Sequence, residues 1–217
     1  MDSSAAIFDL DGTLADTFPV IVSSWNAAVG AVVGISYSQA DVMARFGPTE
    51  VAMIRRELDP ADHDRAIKTF LQRYAADHAR VVRVFDGIPE LLESLRSRRI
   101  PMGVMTGKGR DTADITLAKL GWTNLFASVI TGDEISRAKP DPQGVLMVAR
   151  QLGVEAARCV YVGDAPYDIQ AGRAAGMKTI WAGWHPVYEK EVSRLNPDFL
   201  ARAPSDVLGI LEINSVP

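Results

Sequence analysis

The chain has a single cysteine, Cys159, in 217 residues. No internal disulfide can form, so a cross-linked secreted scaffold is excluded and a reducing, cytoplasmic compartment is expected. Histidine is almost as scarce. His63, His78 and His185 show no metal-ligand spacing, and His63 and His78 read as exposed residues of a charged helix. No apolar run approaches the roughly 18 residues that a membrane span needs, so no membrane partner is expected. Basic residues are not in excess: 23 Lys and Arg against 27 Asp and Glu give a net charge of −4. That leaves no basic face for a nucleic acid. Repeats and low-complexity tracts are missing. From the polar start at residues 1–4, with a strand expected at once, no signal peptide is expected.

What is present has the composition of a globular protein, 47% apolar and 23% charged. The length suits one sizeable core with an insertion. From Ala5 a short apolar run ends in Asp9-Leu10-Asp11-Gly12-Thr13. Side chains alternate along a strand, so Asp9 and Asp11 fall on one side of its end, and Gly12 permits a sharp turn beyond. Helical periodicity follows over 17–33, 36–46, 48–58 and 59–78, with no strand candidate between residues 16 and 80. Trp25 reads as core of the first of these helices. From residue 81 the pattern alternates. Strands are expected over 100–105, 127–130, 159–162, 178–182 and 198–200, and helices over 88–99, 110–120, 143–152, 169–175 and 205–211.

Short apolar strands alternating with helices of about ten residues predict a parallel, Rossmann-like sheet covered on both faces. The fold class is therefore α/β, with a core domain of residues 1–15 and 82–217 and an inserted helical cap domain of residues 16–81. Ligands in open α/β sheets bind at the carboxyl ends of strands. That rule selects Asp9 and Asp11, Thr106, Asp133 or Lys139, and Asp164 and Asp168.

Together these groups suit phosphoryl transfer. A carboxylate can attack phosphorus, and the rest of the work is positioning and charge compensation. Asp9 and Asp164 offer carboxylates to Mg²⁺, which prefers oxygen ligands. Thr106 and the amides of Leu10 and Gly107 offer donors to phosphate oxygens. Lys139 offsets negative charge, and Asp11 suits general acid–base work. Each residue also has a plainer reading: Thr106 and Asp164 as helix caps, Lys139 as a loop lysine, Asp168 as a surface helix residue. Asp133 reads as a loop acid and Lys108 as solvent-exposed.

Four motifs in order, each after an expected strand, resemble the haloacid dehalogenase (HAD) superfamily of hydrolases: Asp9-Leu10-Asp11-Gly12-Thr13, Thr106, Lys139-Pro140, and Gly163-Asp164 with Asp168. The resemblance covers nearly the whole chain. It implies a HAD-like core with a cap, Asp9 as nucleophile, Asp11 as general acid and base, and Lys139 as a catalytic and phosphate-binding lysine. It implies Mg²⁺ held by Asp9, the Asp11 carbonyl and Asp164, with Asp168 supporting from behind. Asp11 matches the phosphatases of the superfamily and not its dehalogenases or phosphonoacetaldehyde hydrolases. No histidine precedes residue 63, which sets the chain apart from beta-phosphoglucomutases. The small cap and the opening motif are most similar to phosphoglycolate phosphatases and related enzymes on small phosphate esters, with a pyrophosphatase, sugar phosphatase or phosphomutase as in-class alternatives. A receiver-type phospho-acceptor or a non-catalytic binding protein are the alternatives outside the class.

Substrate choice is expected in the cap loop 45–50. Arg45 suits a substrate carboxylate or second phosphate, whereas Glu50 suits a hydroxylated or cationic leaving group. Cys159 sits in an apolar strand and reads as unreactive core. Trp181 and Trp184 read either as pocket mouth or as packing.

Overall fold

The computed structural model describes residues 5–213, without the side chains of 212 and 213. The expectation placed on residues 1–4 lies outside them. In chain order β1 (Ala5–Phe8) leads to a short β2 (Ala15–Asp16). A helical run follows as α1 (Phe18–Trp25), a π-helical stretch (Asn26–Gly30) and α2 (Ala31–Val33). Then come α3 (Gln39–Met43), α4 (Glu50–Glu57), α5 (His63–Val81) and β3 (Arg83–Val84). The remainder alternates: α6 (Ile88–Ser97), β4 (Met102–Met105), α7 (Arg110–Lys119), β5 (Ser128–Ile130), α8 (Gln143–Leu152), β6 (Cys159–Gly163), α9 (Pro166–Ala174), β7 (Lys178–Ala182), α10 (Glu189–Ser193), β8 (Phe199–Ala201) and α11 (Pro204–Ile213).

Six strands form a parallel sheet in the order β5-β4-β1-β6-β7-β8. β1 lies inside it, and its four residues are all buried. Alternation sends them to two cores. Ala6 and Phe8 join Ile88, Leu91 and Leu95 of α6 and Val207 of α11. Ala5 and Ile7 join Val145, Val148 and Ala149 of α8. The spacing 88, 91, 92, 95 is an apolar helical stripe, and it lies on the sheet as the periodicity requires. Each such large buried side chain contributes about 1.5–3 kcal/mol through apolar burial.

The helices between β2 and β3 have a core of their own. Phe18, Ile21, Trp25, Phe70 and Tyr74 gather there, with Ile115 and Leu120 of the sheet body packed against them. β2 and β3 pair antiparallel, Ala15 with Val84 and Asp16 with Arg83. This two-stranded ribbon was not anticipated: its strands are two residues long, too short for a period-2 pattern. It ties together the two chain crossings between sheet body and cap. The other differences from expectation are small. α9 starts at Pro166, three residues early, since a proline suits the first turn of a helix. α10 was missed.

Candidate active site

The carboxyl ends of β1, β4 and β6 meet at one cavity of about 330 Å³, roofed by the cap. Asp9, Asp11, Thr106, Gly107, Lys139 and Asp164 all line it from the sheet side. Phe18, Ile21, Phe46, Thr49, Glu50 and Met53 line it from the cap side. The strand-end rule therefore selected residues that the fold brings together.

The turn after β1 explains how two carboxylates and a third from β6 share so little space. Gly12 has φ +81, and a Cβ there would lie 2.3 Å from Asp164 Oδ2. Only glycine allows that approach. Beside it the Thr13 hydroxyl donates to Asp164 Oδ1 at 3.1 Å. His185 Nδ1 sits 3.1 Å from Asp164 Oδ2, its ring stacked on Phe18 and tilted against Phe85.

Lys139 is buried among acids. Its Nζ donates to Asp9 Oδ1 at 3.0 Å, Asp168 Oδ1 at 2.6 Å and the Tyr161 hydroxyl at 3.2 Å. Asp168 spends its other oxygen on the Ala165 amide at 3.0 Å. Both its oxygens thus serve to hold Lys139 and the loop before α9. Burial raises Asp9 well above the usual carboxylate range. The Lys139 ammonium opposes the rise, and Asp168, Asp164 and Asp11 add to it. Burial likewise raises Asp164, with the His185 hydrogen bond opposing. For Lys139 burial works against the charge, yet Asp168 and Asp9 outweigh it and keep the ammonium charged.

Oxygens of Asp9, Asp164 and Asp168 lie within 4.8 Å of one another. Hard oxygen donors, buried and short of positive charge, are what a divalent cation such as Mg²⁺ requires, so the residues fit the ion. Asp168 does not line the cavity and has both oxygens taken by Lys139 and the Ala165 amide, so the carboxylates that face the cavity and could ligate are those of Asp9 and Asp164. The Asp11 side chain lies outside this trio.

Asp11 belongs to a second charged group. Its Oδ1 accepts a short hydrogen bond from the Thr17 hydroxyl, and its Oδ2 accepts from Lys108 Nζ at 3.1 Å. Lys108 also donates to Glu50 Oε1 at 2.9 Å, and its side chain is 0% exposed. The reading of Lys108 as solvent-exposed is thus corrected. Glu50, at the start of α4, closes over it and accepts in addition from the Gly109 amide at 2.8 Å and the Thr112 hydroxyl at 2.9 Å. Burial pushes Glu50 up, but Lys108 and the Gly109 amide outweigh it and hold the carboxyl below its ordinary value. A cap carboxylate and the second motif acid thus share one ammonium.

Thr106 is buried, and its hydroxyl accepts from the Lys108 amide at 3.2 Å. Among the described residues the amides of Leu10 and Gly107 have no protein acceptor. Arg45 does not reach the cavity. Its guanidinium grips Glu57 through Nε at 3.1 Å and Nη2 at 2.8 Å, and Nη1 donates to the Asp41 carbonyl. Asp133, read as a loop acid, accepts from the Arg110 amide at the start of α7 at 2.6 Å. His78 is buried, with its ring 5.7 Å from that of Tyr74, which corrects its expected exposure. His63 is half-buried against the Leu58 carbonyl. Trp181 and Trp184 pack, their indole N–H groups donating to the Asp164 and Thr13 carbonyls. Cys159 is buried, and burial pushes its thiol up to about 11.

Sequence reasoning missed Lys108, Tyr161 and His185. His185 lies three residues past the end of β7, a strand end to which the rule was not applied. Tyr161 was hidden because a tyrosine within an apolar strand reads as core.

A family model described as haloacid dehalogenase-like hydrolase matches residues 6–182. The chain is 39% identical over 181 residues to a phosphoglycolate phosphatase of Xylella fastidiosa, covering 82% of this chain and 79% of the relative. It is 29% identical to a pyrophosphatase PpaX of Oceanobacillus iheyensis, covering 97% of this chain and 98% of the relative. In fold it is similar to a predicted phosphoglycolate phosphatase from Haemophilus somnus, with TM-score 0.83, 22% identity and coverage of 97% and 98%. Among the described residues no helix is long and apolar enough to cross a membrane.

Proposed function

This chain belongs to the haloacid dehalogenase-like hydrolase family, and we infer that it hydrolyses phosphoric monoesters of small metabolites through a covalent intermediate on Asp9. One observation carries this reading: Asp9, Asp11, Thr106, Lys139 and Asp164, each with a separate task in that chemistry, face one cavity. A carboxylate oxygen of Asp9 attacks phosphorus, the ester oxygen leaves, and an aspartyl-phosphate forms. Asp11 gives its proton to the leaving oxygen. It then takes a proton from the water that attacks the intermediate, and the bond from phosphorus to Asp9 breaks to release phosphate. Thr17 and Lys108 aim the two oxygens of Asp11.

Thr106 and the amides of Leu10 and Gly107 donate to the phosphoryl oxygens. Lys139 binds the same group, and Asp168 and Tyr161 hold it in place from behind. Mg²⁺ fits beside Asp9 and Asp164, with the Asp11 carbonyl as a further ligand, where it would offset charge developing on the phosphoryl group. Residues 16–81 act as a cap whose closure about the β2–β3 ribbon excludes water. The names of the relatives put phosphoglycolate first among compounds to try. Pyrophosphate is second, favoured by a match over 97% of this chain and 98% of that relative.

The test is an assay with an aryl phosphate and Mg²⁺ on the wild-type protein and on Asp9→Asn. The variant should retain its circular dichroism spectrum and lose at least about 10³-fold in kcat, the scale on which single nucleophile deletions act. A chelator should abolish wild-type turnover. An active Asp9→Asn protein would refute the covalent route, and undiminished turnover in chelator would refute the metal assignment.

A further inference from the structure

We propose that the cavity selects phosphate esters whose leaving group carries no negative charge. This rests on the phosphatase reading above, and it departs from both compounds that the relatives' names suggest. The observation is the charge inventory of the wall. Among the described lining residues there are four acids, Asp9, Asp11, Glu50 and Asp164, and only two cations, Lys108 and Lys139; with Asp11 carrying the proton it gives to the leaving oxygen, three carboxylates still face two cations.

Neither cation is available to a second anionic group. Lys139 lies at 3.0 Å from Asp9 and 2.6 Å from Asp168, where the transferring phosphoryl group must sit. Lys108 is matched by two carboxylates, Asp11 at 3.1 Å and Glu50 at 2.9 Å. A substrate carboxylate could recruit Lys108 only by expelling Glu50, which is itself held by the Gly109 amide and the Thr112 hydroxyl. Arg45, the cation nearest in sequence, is turned away and clamped on Glu57.

Apart from the Thr49 hydroxyl, which is uncharged and accepts from the Ala52 amide, the rest of the cap wall is apolar. Phe18, Ile21, Phe46 and Met53 face the space where a leaving group would lie. A carboxylate placed there loses water and gains no counter-charge. At an effective dielectric of about 20, one uncompensated like charge roughly 6 Å away weakens binding on the order of a hundredfold. Screening by solvent in the open cap reduces this, and about tenfold is the floor expected.

The experiment uses the full chain with Mg²⁺ and a matched pair, 2-phosphoglycolate and 2-phosphoglycolamide, which differ only in that charge. Phenyl phosphate serves as a neutral control and pyrophosphate as a second anionic leaving group. The neutral esters should exceed phosphoglycolate and pyrophosphate in kcat/KM by about tenfold or more. Phe46→Arg places a cation on the half-buried cap wall, away from the phosphoryl-binding groups. It should shift the acid-to-amide ratio roughly fivefold or more toward the acid. Wild-type protein that turns over phosphoglycolate as well as its amide, or better, overturns the proposal. So does an unmoved ratio in a folded Phe46→Arg protein. Failure to hydrolyse any of the four, phenyl phosphate included, instead brings down the phosphatase reading itself.

Discussion

Removing Lys108 should destabilise the protein far more than removing an ordinary surface lysine. Its side chain is 0% exposed, and its partners Glu50 and Asp11 are 9% and 18% exposed. In Lys108→Met the stem is replaced by one of similar volume, so little packing is lost, but two carboxylates remain facing each other with their shared counter-charge gone. Breaking a buried pair from one side costs about 3–5 kcal/mol. For a chain of 217 residues each kcal/mol lowers Tm by about 2–4 °C, so a drop of roughly 6–20 °C is expected. Glu50→Gln keeps acceptor and donor atoms for Gly109 and Thr112 and leaves Lys108 with Asp11, so its cost should be smaller, about 1–2 kcal/mol. The double variant discriminates. If the two side chains act as a pair, its loss falls short of the sum of the singles by at least about 1 kcal/mol. Thermal melts of the four proteins, checked by urea titration, supply the cycle. Strict additivity, or a Lys108→Met Tm within about 2 °C of wild type, would mean that water reaches the pair and that the cap is not held shut there.

Gly12→Ala combines a positive φ with a Cβ only 2.3 Å from Asp164 Oδ2. It should cost more than about 1 kcal/mol and raise the Mg²⁺ concentration needed for half-maximal rate, read by a metal titration. His78 is buried, and burial followed by Lys108 lowers it to about 4. Its folded value lies below the unfolded one of about 6.5, so the unfolded chain takes up the proton first as pH falls. Stability from this residue is full above pH 6.5 and declines toward pH 4, by up to a few kcal/mol. His78→Leu should flatten Tm between pH 4.5 and 7, and an unchanged slope would contradict the assignment. Arg45→Ala breaks a half-exposed pair with Glu57 outside the cavity. It should lower stability by no more than about 1 kcal/mol and leave kcat/KM within about twofold, where a substrate-binding role demands a larger loss.

Much of the site was legible because it follows from backbone pattern. β1 is a run of four buried residues, and whatever follows such a strand must stand at the sheet edge. Asp9, Thr106 and Asp164 fall into place by that rule alone. What the pattern could not carry is pairing between distant side chains. Lys108 follows a glycine in a polar turn, the local chemistry of an exposed residue. Its burial depends on Glu50, which is 58 positions away and comes from the other side of the cavity. Arg45 failed for the opposite reason. It stood beside the loop that does line the cavity, yet Glu57, 12 residues on, draws it to the outer surface. The charged stretch around His78 suggested solvent, whereas its helix turns His78, with Asp77, inward, and His78 lies beside Tyr74.

The Lys108 pair also bears on why a small cap should matter to chemistry on the sheet. Buried ion pairs add little net stability compared with apolar contacts, so stability is a poor reason for one at this position. Orientation is a better one. Asp11 is gripped by Thr17, in the first crossing to the cap, and by Lys108, which a cap carboxylate covers. Thr17 begins the chain's first crossing and Glu50 covers Lys108 from the cap side, while the β2–β3 ribbon ties the two crossings together. On the proposed closure, opening the cap would hydrate Lys108 and Glu50 and loosen the hold on Asp11. Closing it would then aim Asp11, the proposed acid–base group, and remove water in one motion. Glu50→Gln should therefore lower kcat on a neutral ester more than it raises KM, because it disturbs how Asp11 is aimed more than how the phosphoryl group is bound. A rise in KM at constant kcat would place Glu50 in substrate binding and detach it from the acid–base group.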